Sequence, residues 1–142
     1  MIAVDTNLLV FAHRAAVPQH RRARRAIERV AGDPGGWGVS IATISEFWSI
    51  VTHPHGAGRP STAAQASSFV RVLVEDAAMQ IWGPRAGFAE RLMQLAVDLG
   101  VVGVRVFDLQ IGLMAFDNGA QEIWTHDDRF VRIPGLRVHD PL

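Results

Sequence analysis

Residues 1–7 read MIAVDTN, and the order of types in that stretch sets the question for the whole chain. Ile2-Ala3-Val4 is apolar without alternation, the pattern of a short strand covered on both faces. The run ends on Asp5, so a carboxylate follows a buried strand directly. Such an Asp can cap the next helix, hold a turn or serve a site. The choice depends on what else the chain brings to the same end of the sheet.

Working outward, short strands alternate with helices. Gln19–Ala31 is an amphipathic helix, with Ala23, Ala26, Ile27 and Val30 on one side and Arg21, Arg22, Arg24, Arg25 and Arg29 on the other. DPGGWG (33–38) punctuates, and Val39-Ser40-Ile41 is a second strand. Helices are expected over Thr43–Val51 and Thr62–Glu75, separated by the loop THPHGAGRPS (52–61). Met79–Trp82 is strand-like. Pro84 marks a helix start, with Phe88, Leu92, Leu95 and Leu99 on its buried side and Gly100 as its stop. The last helix is expected from Asp108 to Asn118. Glu122–Trp124 and Leu136–Val138 complete the strands. This alternation predicts an α/β fold, one domain over 1–142, with a short, mainly parallel central sheet flanked by helices.

Composition narrows the function. The chain has 142 residues, 49% hydrophobic and 20% charged, with zero formal net charge and no cysteine. Disulfides and thiolate metal sites are therefore excluded. No basic leader with an apolar run opens the chain, and no stretch reaches the ~18 apolar residues of a membrane span, so a soluble, cytoplasmic protein is expected. All 14 basic residues are arginine. The absence of lysine removes receiver domains and P-loop enzymes, both of which need one. A haloacid-dehalogenase-like phosphatase would want a second Asp two places after Asp5, where Asn7 stands.

In parallel α/β sheets, sites form beyond the carboxyl ends of the strands. Asp5, Asp108 and Asp127 (in THDD) are expected there, and each also has a plain capping reading. Glu46 is harder to dismiss as structural. Its helix is apolar nearly all round, with Ile41, Ile44, Trp48 and Val51 expected on one face and Ala42 and Ile50 beside the acid. A carboxylate there needs a cation or strong donors. Asp117 lies about 180° from Asp108 on the same helix and cannot share its site. Glu28, Glu75, Asp76, Glu90 and Asp98 read as solvated, while Asp128 is an auxiliary candidate beside Asp127. If Asp5, Glu46, Asp108 and Asp127 converge, all-oxygen ligands suit Mg²⁺ or Mn²⁺, which can activate water against a phosphodiester.

Taken in order, VDTN (4–7), TISEFW (43–48), FDLQIGLMAFDNGA (107–120), WTHDDRF (124–130) and IPGLRVHDPL (133–142) resemble the PIN-domain ribonuclease family, and within it the VapC toxins of type II toxin–antitoxin modules. The resemblance implies a single PIN-like domain that hydrolyses RNA, not DNA, with Mg²⁺ or Mn²⁺. It makes Asp5 and Asp108 the metal ligands, and Glu46 and Asp127 the third and fourth acids. Thr6 and Thr125 match hydroxyl positions that orient a ligand or water. It further implies a homodimer and a cognate antitoxin. A catalytically silent PIN-like module that binds RNA or protein is the rival reading.

Other features read more plainly. Arg21, Arg22 and Arg25 could contact RNA or antitoxin, or form a solvated face with an Arg24–Glu28 pair. His53-Pro54-His55 reads as a surface turn rather than a metal pair. Trp48, Trp82 and Trp124 suggest packing, and Trp37, in GGWG, is the tryptophan expected to be exposed.

Overall fold

In the computed structural model, which describes residues 1–55 and 58–142, Ile2–Val4 (β1) is the middle strand of a five-stranded, wholly parallel sheet. The chain continues through α1 (Thr6–His13), α2 (His20–Ala31), β2 (Trp37–Ser40), α3 (Ile41–Thr52) and α4 (Ala63–Asp76). Then come β3 (Gln80–Trp82), α5 (Phe88–Asp98), α6 (Arg105–Asp117), β4 (Glu122–Trp124) and β5 (Arg137–His139). The strand order is β3-β2-β1-β4-β5, so the sheet is wound outward from β1 in both directions. That reversal opens a crevice beyond the carboxyl ends of β1 and β4.

The apolar run of β1 is consumed on both faces. Val4 joins a core with Leu8 and Leu9 of α1, Ala23 and Val30 of α2, Phe47 and Val51 of α3, and Leu73 of α4. Ala3 faces the other way, into a core of Trp82, Leu109, Leu113, Ile123, Phe130 and Leu136. Side chains alternate across a strand, which is why two neighbours on β1 serve different cores. Fully burying a leucine such as Leu8 or Leu9 contributes about 1.5–3 kcal/mol. The loss of regular alternation in the sequence follows from this double coverage.

Several local expectations change. The sixth helix begins at Arg105, about one turn before Asp108, so Asp108 lies in its first turn rather than opening it. Pro84 does not start a helix. The fifth helix begins at Phe88, after Gly87 turns the chain at φ 76°. Gly100 does follow its end, with a positive φ of 63°. Phe88, Leu92 and Leu95 pack on the second core, but Leu99 is exposed. β1 holds its place, β2 runs over Trp37–Ser40 with Ile41 already opening α3, and β5 lies one residue later than expected. The buried side of α3 is Thr43, Phe47 and Val51, whereas Ile41, Trp48 and Ile50 are exposed. An almost uniformly apolar helix carries little phase information, so its buried side is set by packing on α1 and α4.

The tryptophans also exchange roles. Trp37 is fully buried and its indole N–H donates to the Ala77 carbonyl at 2.7 Å, while Trp48 is the exposed one. His53 and His55 form a turn, as read, with the His55 amide donating to His53 Nδ1 at 3.1 Å. Part of the loop 52–61 lies outside the described residues. Among the described residues no Arg24–Glu28 ion pair forms, and no helix is long and apolar enough to cross a membrane.

Gly38 is where β2 passes closest to its neighbours. A Cβ there would meet the Gln80 carbonyl at 2.6 Å and the Trp82 ring at 2.7 Å. Gly38→Ala should therefore destabilise the protein by about 1–3 kcal/mol in urea unfolding. Unchanged stability would contradict this packing.

Candidate active site

Asp5 sits 5% exposed at the carboxyl end of β1, its backbone N–H donating to the Trp124 carbonyl of β4 at 3.0 Å. Every early polar residue of the opening stretch is engaged with it. The Thr6 amide donates to Asp5 Oδ1 at 2.7 Å, so Asp5 does cap α1. Asn7 Nδ2 and the Thr125 hydroxyl both donate to Asp5 Oδ2 at 2.7 Å. Thr125 Oγ1 in turn accepts from Asn7 Nδ2 at 2.8 Å and from the Asp127 amide at 3.1 Å. One donor and two acceptor positions are thus all used on that hydroxyl. Asn7 Oδ1 accepts from the His126 amide at 3.1 Å, fastening the turn after β4 to the start of α1.

The third acid arrives from α3. Ser40 caps that helix by accepting from the Thr43 amide at 3.0 Å, which sets the helix directly on the end of β2. Glu46, half-buried, then accepts a hydrogen bond from the Thr6 hydroxyl through Oε2. Asp108 comes from the first turn of α6 and is also half-buried. Asp127 follows β4, its Oδ1 accepting from the Arg129 amide at 2.9 Å. Asp5, Glu46, Asp108 and Asp127 line one cavity of about 270 Å³, together with Thr6, Asn7, Val10, Phe11 and Ile50. Asp128 is exposed and does not line it.

The other acids separate as read. Asp117 is paired with Arg91 at 2.5 Å, outside this cavity. Glu28, Glu75, Asp76, Glu90 and Asp98 are exposed. Arg21, Arg22 and Arg25 are exposed on α2 and do not line the cavity. Asn7 is the member of the cluster whose role sequence reading missed. The available signal was an amide in the first turn of an otherwise apolar helix, two residues after the strand-ending Asp.

Electrostatics mark the cavity as a place where negative charge is held under strain. Burial pushes the Asp5 carboxyl up to about 6, against the pull of the Thr125 hydroxyl and the Thr6 amide, and Glu46 and Asp108 add to the rise. Asp108 is raised by burial and then by Asp127 and Glu46, with Arg105 and Arg129 opposing. Among the described residues no three His, Asp or Glu side chains stand close enough to close on an ion as placed. The donor set nevertheless fits a hard divalent cation. Mg²⁺ keeps several of its waters and is commonly held by only one or two carboxylates, so the remaining acids can act through water.

A family model for the PIN domain matches residues 2–136. The chain belongs to the PIN domain family. Among curated relatives, this PIN domain is 34% identical to VapC ribonuclease Mb2897 of Mycobacterium bovis, over the whole chain and 96% of the relative. It is 27% identical to Ribonuclease VapC48 of Mycobacterium tuberculosis, over 97% of this chain and 95% of that one. Solved structures agree on the fold. VapC20 of M. tuberculosis, a toxin that cleaves the sarcin–ricin loop, superposes with a TM-score of 0.69 at 18% identity over 92% of each chain. VapBC2 from Rickettsia felis, bound to a DNA fragment from its promoter, gives 0.70 at 20% identity over 99% of this chain and 98% of that one.

Because the folded-state pKa of Asp108 is raised, its ionised form costs stability above that pKa, and the cost vanishes as pH falls below the ordinary carboxylate range. Asp108→Asn should therefore melt above the wild type at pH 8 in EDTA, with the gap closing toward pH 3.5. A lower melting temperature at pH 8 would contradict the assigned repulsion.

Proposed function

We propose that this PIN domain is a Mg²⁺- or Mn²⁺-dependent endoribonuclease toxin of the VapC type, restrained by a cognate antitoxin. The observation that carries the reading is the convergence of Asp5, Glu46, Asp108 and Asp127 on one cavity from four different elements. A silent binding module has no use for a carboxylate held mostly buried at a pKa near 6. Full-length similarity to VapC ribonucleases supports the same conclusion.

In this reading Asp5 and Asp108 would hold the ion, and Glu46 and Asp127 would orient a water beside it. A divalent cation bound there lowers the pKa of water and offsets charge on a phosphoryl oxygen. The chain's own contribution is positional. Thr125 and Asn7 fix Asp5 Oδ2, leaving Oδ1, among the described residues, with only the Thr6 amide and therefore a free acceptor site. The Thr6 hydroxyl fixes Glu46, which can then accept a proton from water attacking in line with the leaving oxygen.

The antitoxin is proposed on the likeness to VapC proteins, whose relatives include solved VapBC assemblies. Arg21, Arg22 and Arg25 offer a basic face on α2 for antitoxin or RNA. A homodimer is proposed from the apolar groove of about 440 Å³ beside the site, where exposed Ile41 and Phe107 face solvent. A cytoplasmic location goes with an RNA substrate and a protein antitoxin.

Purified free of any partner, the chain should cut RNA with Mg²⁺ or Mn²⁺, spare DNA, and stop in EDTA. Asp5→Ala should lose at least about 10²-fold in rate, since even outer partners of metal ligands cost 10–100-fold. Cleavage that survives EDTA, or full activity in Asp5→Ala, would sink the reading.

A further inference from the structure

Four acids around one cavity repel the polyanion that they are proposed to cut, and the turn after β4 carries a feature suited to that difficulty. Arg129 follows Asp127 by two residues, and its backbone N–H donates to Asp127 Oδ1 at 2.9 Å. Its guanidinium Nε lies 4.0 Å from the same oxygen, with the side chain 81% exposed. An ion pair this long and this exposed holds a guanidinium only loosely. The group does not line the acid cavity but stands at its rim, on the Asp127 side.

Arg105 explains why the rim is placed there. At the first residue of α6, its guanidinium donates to the Arg129 carbonyl. That bond ties the turn carrying Asp127 to the helix carrying Asp108. Arg105 is thus spent on a backbone oxygen, while the Arg129 fork keeps its donors available. Both cations act on Asp108.

We propose that Arg129 binds the phosphate next to the scissile one, at the rim of the acid cavity, with Arg105 as the residue that positions its turn. The proposal rests on the ribonuclease reading above. A planar guanidinium with five donors matches a phosphate bidentately, and at the rim it gives the backbone an attractive contact outside the acidic interior. Being outside the cavity, it contacts substrate equally before and during reaction, so its effect belongs in binding rather than in the chemical step. A merely solvated arginine would affect neither. A clamp on Asp127 would act on kcat.

The test is steady-state cleavage of RNA by the full chain over a salt series, comparing wild type, Arg129→Ala and Arg129→Lys, with melting curves as the folding control. Arg129→Ala should raise KM about tenfold, with the loss confined to KM, and reduce the log–log salt slope by about 0.7. Arg129→Lys should keep the salt slope. Wild-type KM and slope in Arg129→Ala, or a loss confined to kcat, would overturn the proposal. Absence of metal-dependent cleavage by the wild type would instead be a failure of the ribonuclease reading. The same variants would then be compared by anisotropy of a fluorescein-labelled single-stranded RNA, where an unchanged Kd for Arg129→Ala overturns the rim contact by itself.

Discussion

The burial of one carboxylate at the end of the central strand is the constraint on which the rest of this structure depends. Asp5 follows β1 with its neighbours β2 and β4 closing both sides, so little water reaches it. Leaving such a group unsatisfied would cost several kcal/mol. The fold supplies the Thr6 amide, the Asn7 amide and the Thr125 hydroxyl, drawn from the start of α1 and the turn after β4. These donors do not fully offset the burial, as the carboxyl stays at about 6. They do lock two segments distant in sequence into one register, which is why the crevice beyond β1 and β4 has a defined shape.

Glu46, Asp108 and Asp127 add charge to the same place instead of relieving it. Each could have been neutralised by a buried arginine, and none is. Among the described residues no arginine lines the cavity; Arg105 and Arg129 moderate Asp108 from outside it. Stability is given up locally, and the proposed divalent cation would recover it. That arrangement separates a site from a structural salt-bridge network, in which opposite charges would be interleaved.

Much of this was legible in the sequence because it rests on short-range order. The apolar run Ile2–Val4 ending on Asp5 fixes a covered strand, and the four acids fall at strand ends or on a helix with no polar face to spare. Which of Asp127 and Asp128 faces the cavity was not legible in THDD; the structure places Asp127 there, its amide held by the Thr125 hydroxyl. What sequence reading missed depends on tertiary packing. The phase of α3 is set by its neighbours, so Trp48 and Ile50 lie outside and Thr43 inside. Trp37 is buried because α4 ends where the Ala77 carbonyl can accept its N–H. The early start of α6 was hidden by Val102, Val104 and Phe107, apolar residues that resemble a strand yet stay exposed. Asn7 was passed over because two of its three partners, Thr125 and His126, lie more than a hundred residues away.

Loading of the proposed cation site would compete with protonation of Asp5. Calorimetric titration of the metal-free chain with Mn²⁺, run between pH 5 and pH 8 in buffers of different ionisation enthalpy, measures binding and proton release together. Binding should be saturable, weaken as pH falls through about 6, release protons in that range, and be lost in both Asp5→Asn and Asp108→Asn. Saturable binding that survives both substitutions, or no binding at any of these pH values, would contradict the proposed site.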